Sequence, residues 1–165
     1  VSSEKIPFRW MTGTQSHEGM AGTMAAIDHI AWIGKEYSGD SSLSRRVALK
    51  EAYSAIEIHE RELCLKMLEG LAEIDELKVW GITDPQRISE RSPTVSFTHP
   101  KMTASEIGSR LADKGIFVWA GNFYALELTE ALDLEPEGVL RAGVLHYNTM
   151  EEVERFVSSV AEILE

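Results

Sequence analysis

With 165 residues, 27 acidic and 16 basic side chains and a formal charge of −11, the chain is long enough for one domain with a core, and its cations are too few and too scattered for nucleic acid to be its main partner. An apolar share of 44% excludes a disordered chain, and one cysteine, Cys64, excludes an internal disulfide and points to a reducing compartment such as the cytoplasm. No apolar run is long enough to span a membrane and no leader pattern opens the chain, whose first residue, Val1, reads as the product of processing or excision from something longer.

Val1 to Thr12 is mixed in character and reads as extended, with Pro7 blocking an early helix. Gly13-Thr14-Gln15-Ser16 is a turn, and Ser16 is placed to cap a helix from His17 to about Tyr37. Its early part holds Gly19, Ala21, Gly22, Ala25 and Ala26, small residues whose usual use is to admit another backbone. Ile27, Ile30 and Ile33 add a larger apolar stripe, and Gly39 to Ser42 is a break. A second long helix is predicted from about Leu43 to Leu71, with Leu49, Tyr53, Ile56, Leu63 and Met67 as its seam and Cys64 beside it, more a small hydrophobe than a nucleophile. His59 and the charged run after it read as a solvated face.

The period then changes. Leu77 to Trp80 is a strand, Thr83 to Arg91 a polar loop, and Thr94 to Thr98 an alternating, half-buried strand. Thr103 and Glu106 form a capping box for a helix that buries Ile107 and Leu111 and stops at Gly115. Ile116 to Trp119 is a third strand, broken by Gly121-Asn122, and Phe123 to Leu132 a short helix. Val139 to Val144 is the fourth strand. Thr149 and Glu152 then cap a final helix with Val153, Phe156, Val157, Val160 and Leu164 on its apolar face. This order predicts a single α+β domain over residues 1–165: a small, mostly antiparallel sheet with helices on one side, plus two long N-terminal helices.

The chain carries no phosphate-cradling glycine loop, no Gly-x-Ser-x-Gly elbow and no histidine pair at metal-ligand spacing, so it offers no catalytic residue and no metal site of its own. Two spots hold chemistry. Arg141 is a guanidinium on a firmly held strand, suited to bidentate capture of a carboxylate, although the strand alone favours the commoner use of pairing with an acid at a sheet edge. Gly13-Thr14 places a hydroxyl and free N–H groups at a helix mouth, which suits an anion or an ordinary cap.

Arg141-Ala-Gly-Val-Leu-His-Tyr-Asn-Thr149, followed by Glu151-Glu152-Val153, resembles the C-terminal motif of the cysteine desulfurase-like enzymes, the class V aminotransferase group of fold-type I pyridoxal-phosphate proteins. Arg9-Trp10-Met11-Thr12-Gly13-Thr14 is similar to that family's Arg-aromatic-Glu-x-Gly-Thr segment, and Lys114-Gly-Ile-Phe-Val-Trp-Ala-Gly121 to its Lys-Gly-Ile-x-Val-x-x-Gly strand. The helix from Gly19 to Gly34 and the one around His59 to Leu63 are similar too, so the match covers nearly the whole chain.

The resemblance implies that Arg141 grips the α-carboxylate of an amino-acid substrate. It also implies that Thr14, with Gly13, touches the phosphate of pyridoxal 5′-phosphate bound in the other subunit of a homodimer. No lysine here matches the family's cofactor-attaching one, since Lys5 precedes Thr14 in unsuitable surroundings. The resemblance therefore implies a C-terminal small domain with linking helices, whose large cofactor-binding domain lies elsewhere and which is inactive alone. Tyr124 stands about where desulfurases carry their persulfide-forming cysteine, and Met11 replaces a glutamate. The parent is accordingly a desulfurase-like lyase, an aminotransferase or an epimerase. Composition and periodicity alone fit equally a free-standing, non-catalytic ligand-binding or dimerisation module.

Overall fold

The computed structural model describes residues 4–6, 8–11 and 13–165. Val1, Ser2, Ser3, Pro7 and Thr12 lie outside the described residues, and with them the expected effect of Pro7. The chain divides into two compact units, Val1–Ala55 and Ile56–Glu165.

In the first unit, Phe8–Trp10 is a short 3₁₀ turn where extended chain is expected. The Arg9 guanidinium lies 5.3 Å from the centre of the Trp10 ring, a local contact that accompanies the turn. Helix α1 spans His17–Ser38 and α2 spans Arg45–Ala72, running on into the second unit. Ser16 caps α1 by accepting the Gly19 N–H at 3.3 Å. Gly39 ends it in the left-handed conformation.

The close backbone approach expected of Gly19 and Gly22 belongs instead to Gly34. A Cβ on Gly34 would sit 1.8 Å from the Ala48 carbonyl oxygen, whereas one on Gly22 would meet nothing. This contact also redraws the seam of α2, which here buries Ala48 and Ala52 and leaves Tyr53 58% exposed, because only small residues fit opposite Gly34. Alanine at position 34 should add about 1 kcal/mol of helix propensity, yet overpacking against a backbone that cannot give way costs more. Gly34→Ala is expected to lower stability by about 2 kcal/mol net in a urea titration.

In the second unit, four antiparallel strands run in the order β1-β2-β4-β3: β1 Lys78–Trp80, β2 Thr94–Thr98, β3 Trp119–Gly121 and β4 Val139–Gly143. Val95, Phe97, Leu140 and Ala142 point to one face and are buried. Against them pack Leu63, Cys64, Met67, Leu68 and Leu71 of α2, Ile107 and Leu111 of α3 (Ala104–Asp113), and Val153, Phe156, Val160 and Ile163 of the last helix. The predicted architecture, a small antiparallel sheet with helices on its core side and long helices before it, is the one found.

The short helix α4 (Leu126–Ala131) begins later than expected because Phe123 and Tyr124 both take left-handed backbone conformations. The third strand is also displaced, from Ile116–Trp119 to Trp119–Gly121. The Ile116 N–H is claimed by the Leu111 carbonyl at 2.9 Å, which closes α3, and Gly121 stays in the ladder opposite Val139. The polar loop after β1 contains a 3₁₀ helix, Pro85–Glu90, capped by the Asp84 carboxylate. Both capping boxes form as read, at Thr103/Glu106 for α3 and Thr149/Glu152 for α5 (Met150–Leu164). Among the described residues no helix is long and apolar enough to cross a membrane.

Candidate functional site

Arg141 sits in the middle of β4, one of the two interior strands of the sheet. Its backbone stands opposite Ser96 of β2 and Trp119 of β3. Strand alternation turns Leu140 and Ala142 into the core, so Arg141 emerges from the other, open face of the sheet. Register places Trp80, Ser96, Arg141 and Trp119 in one row across all four strands. On this face the Trp80 indole N–H donates to the Thr98 hydroxyl at 3.0 Å, the Lys78 ammonium lies 3.6 Å from the Trp80 ring centre, and Trp119 is 69% exposed.

The Arg141 guanidinium lies over the Phe123 ring, 3.9 Å from its centre. Among the described residues it makes no hydrogen bond and no ion pair, and its strand is interior rather than an edge. A guanidinium with one face on a ring keeps its N–H edge available to a planar anion.

Phe123 is held from behind. Asn122 accepts the Tyr124 N–H at 3.2 Å and donates its amide to Glu135 at 3.2 Å, and the buried Thr129 hydroxyl donates to the same carboxylate. Tyr124 itself is fully exposed. The sequence shows Gly121-Asn122 only as a break; nothing local in it announces that the following ring reaches across to Arg141.

The loop beyond β4 is anchored as firmly. Asn148 accepts the Leu145 N–H at 2.9 Å through its side chain and donates to Glu152 at 3.0 Å. That amide, and then the Thr149 N–H, hold the Glu152 carboxyl below the ordinary carboxylate range. The Asn148 backbone carbonyl accepts a hydrogen bond from His59 Nε2 at 2.9 Å. His59 is therefore a tie between α2 and this loop and not part of a solvated face, a role with no local signal because its partner is 89 residues away.

Gly13 and Thr14 belong to the first unit, Arg141 to the second. Both residues are exposed in the bend before α1. Because Ser16 performs the capping, the Thr14 hydroxyl has no hydrogen-bond partner among the described residues. A Cβ on Gly13 would meet nothing within 4 Å. Cys64 is buried at 1% exposure, and burial pushes its thiol upward against the opposing pull of the nearby Arg91 cation. Among the described residues no group of three or more His, Cys, Asp or Glu side chains could hold a metal ion.

The model of the aminotransferase class-V family matches residues 2–156. A probable cysteine desulfurase of Mycobacterium leprae is 31% identical over 96% of this chain, which spans 32% of that protein. An aminotransferase-like protein of Gibberella zeae is 33% identical over 99% of the chain, which spans 47% of it. A cysteine desulfurase of Thermococcus onnurineus, solved in its apo form, superposes with a TM-score of 0.72 at 26% identity, over 96% of this chain and 34% of its own. The chain thus spans a third to a half of the length of these relatives. With nearly its whole length matched by the family model, the chain belongs to the class V aminotransferases.

Proposed function

We propose that this chain is the C-terminal small domain, with its linking helices, of a longer pyridoxal phosphate-dependent enzyme that acts on an amino acid in the cytoplasm, by desulfurase-like or class V aminotransferase-like chemistry. The observation that carries the reading is Arg141: a guanidinium on the central strand, stacked on one ring, with its N–H edge unclaimed among the described residues. A substrate α-carboxylate fits that edge bidentately. The Thr14 hydroxyl, spared from capping, and the uncrowded Gly13 backbone fit the phosphate of a cofactor held by the partner subunit of a homodimer.

Each taken by itself, Arg141 suits a substrate carboxylate and Gly13-Thr14 a phosphate, and four of the seven lysines of the chain are already engaged. Lys66, Lys101 and Lys114 are paired with Glu154, Glu76 and Glu162, and Lys78 lies over Trp80. When bound, the cofactor supplies the electron sink for charge developing at the substrate's α-carbon. This chain's part is to fix the carboxylate and so the orientation of the bond to be broken. With Tyr124 at the tip of the loop and Cys64 in the core, no thiol of this chain stands at the surface to carry sulfur. Apolar side chains on α1, Met20 and Met24 among them, are exposed, as a surface meant for a further domain would be.

The reading has a direct test. The chain is incubated with pyridoxal phosphate, reduced with borohydride and mapped by mass spectrometry. No stoichiometric adduct at any one lysine is expected. A clean adduct at one lysine would show that the chain holds its own attachment site, and the small-domain reading would fall.

A further inference from the structure

We infer that Phe123 is the positioning residue for Arg141: its ring sets the guanidinium for carboxylate capture, and the Asn122–Glu135–Thr129 cluster holds the ring in place. The inference rests on the proposed role of Arg141 and adds the group through which that role is exercised.

The strand fixes only the Arg141 backbone. Its side chain has several rotatable bonds and, among the described residues, no hydrogen bond or ion pair to select a rotamer. A guanidinium free to sample rotamers must be ordered when the carboxylate arrives, which weakens binding. The Phe123 ring, 3.9 Å away, is the contact that selects one orientation in advance. It does so without competing for the N–H donors, because it occupies the π face and leaves the edge free.

The ring in turn needs a fixed backbone, and this backbone is unusual. Phe123 and Tyr124 are consecutive non-glycine residues with φ of 56° and 61°. Each is disfavoured on its own, and the pair persists only where the surroundings over-determine it. They do so here. The Asn122 side chain ties forward to the Tyr124 N–H and sideways to Glu135, the Asn122 carbonyl accepts the Ala125 N–H at 2.9 Å, and Thr129, 5% exposed, binds Glu135 from α4. A turn with no task beyond joining β3 to α4 is better served by glycine at these positions. The strain is explained if the ring must be where it is.

The test uses the full-length holoenzyme, with binding of a panel of L-amino acids followed through the absorbance of the bound cofactor and the tightest binder carried forward. Phe123→Leu is expected to weaken that binding about fivefold, the scale of a lost cation–π contact, and Phe123→Tyr to restore it. In an Arg141→Ala background, Phe123→Leu is expected to change nothing further, since the two residues act as one unit. Phe123→Met serves in place of the leucine variant should that one lose its native circular dichroism. An equal loss with and without Arg141 would overturn the inference by making Phe123 a purely structural residue, and so would unchanged binding in Phe123→Leu. If Arg141→Ala itself costs no binding, or the unmodified enzyme binds no amino acid, the carboxylate reading fails first and the inference with it.

Discussion

Replacing Arg141 by alanine in the full-length protein is expected to weaken amino-acid binding roughly 100-fold, about 3 kcal/mol, while cofactor retention stays within about twofold. The size follows from losing two charge-assisted hydrogen bonds to a carboxylate that is then left desolvated without a partner. The selectivity follows from position. Arg141 belongs to a sheet face whose neighbours in register are Ser96, Trp80 and Trp119, none of them a phosphate ligand by charge. Arg141→Lys should recover part of the affinity and remain roughly tenfold weak, because an ammonium keeps the charge and loses the planar fork. Titration with amino acid and separate measurement of bound cofactor distinguish the cases. Equal loss of both would show that Arg141 supports the whole site and does not read the carboxylate.

The largest effect on stability is expected at Phe97. Its side chain is fully buried, sits in β2 between Val79 and Leu140, and meets Phe156 of the last helix edge-to-face with ring centres 6.4 Å apart. Phe97→Ala removes a large apolar surface and leaves a cavity bounded by sheet on one side and helix on the other, which cannot close. A loss of about 4 kcal/mol is expected, a large share of the ~5–15 kcal/mol that holds a typical domain together. Chemical denaturation measures it. A loss below about 1 kcal/mol would mean that the core collapses freely around position 97, contrary to the packing seen. Because Leu140 lies directly opposite Phe97 and precedes Arg141, this variant should also loosen the strand that carries the arginine.

Much of this architecture is legible in local pattern. Alternation in Thr94 to Thr98, helical spacing after Thr149 and the two capping boxes are short-range signals, and each appears where the residues place it. What the sequence hides depends on distant partners. The seam of α2 shifts to Ala48 and Ala52 because Gly34, in another helix, lets backbone meet backbone. His59 looks like a surface histidine until its acceptor, the Asn148 carbonyl, is seen. The third strand moves because the carboxyl end of α3 claims Ile116. Around the site, the prominence of Arg141 can be read from its strand, whereas its stacking on Phe123 depends on two left-handed residues that no propensity favours.

The strand order β1-β2-β4-β3 also bears on how the protein comes into being. β4 is the last strand of this sheet in chain order and the one that joins its two parts, since β2 and β3 meet only through it. Until about residue 143 has emerged, β1 and β2 can pair but β3 has no neighbour, and Phe97 still lacks the cover that Phe156 of the later helix provides. The same insertion event that completes the sheet brings Arg141 to its place against the Phe123 ring. A nascent chain therefore passes from an incomplete, aggregation-prone sheet to a complete one with its arginine in position, whereas a chain truncated before β4 stays at the first stage.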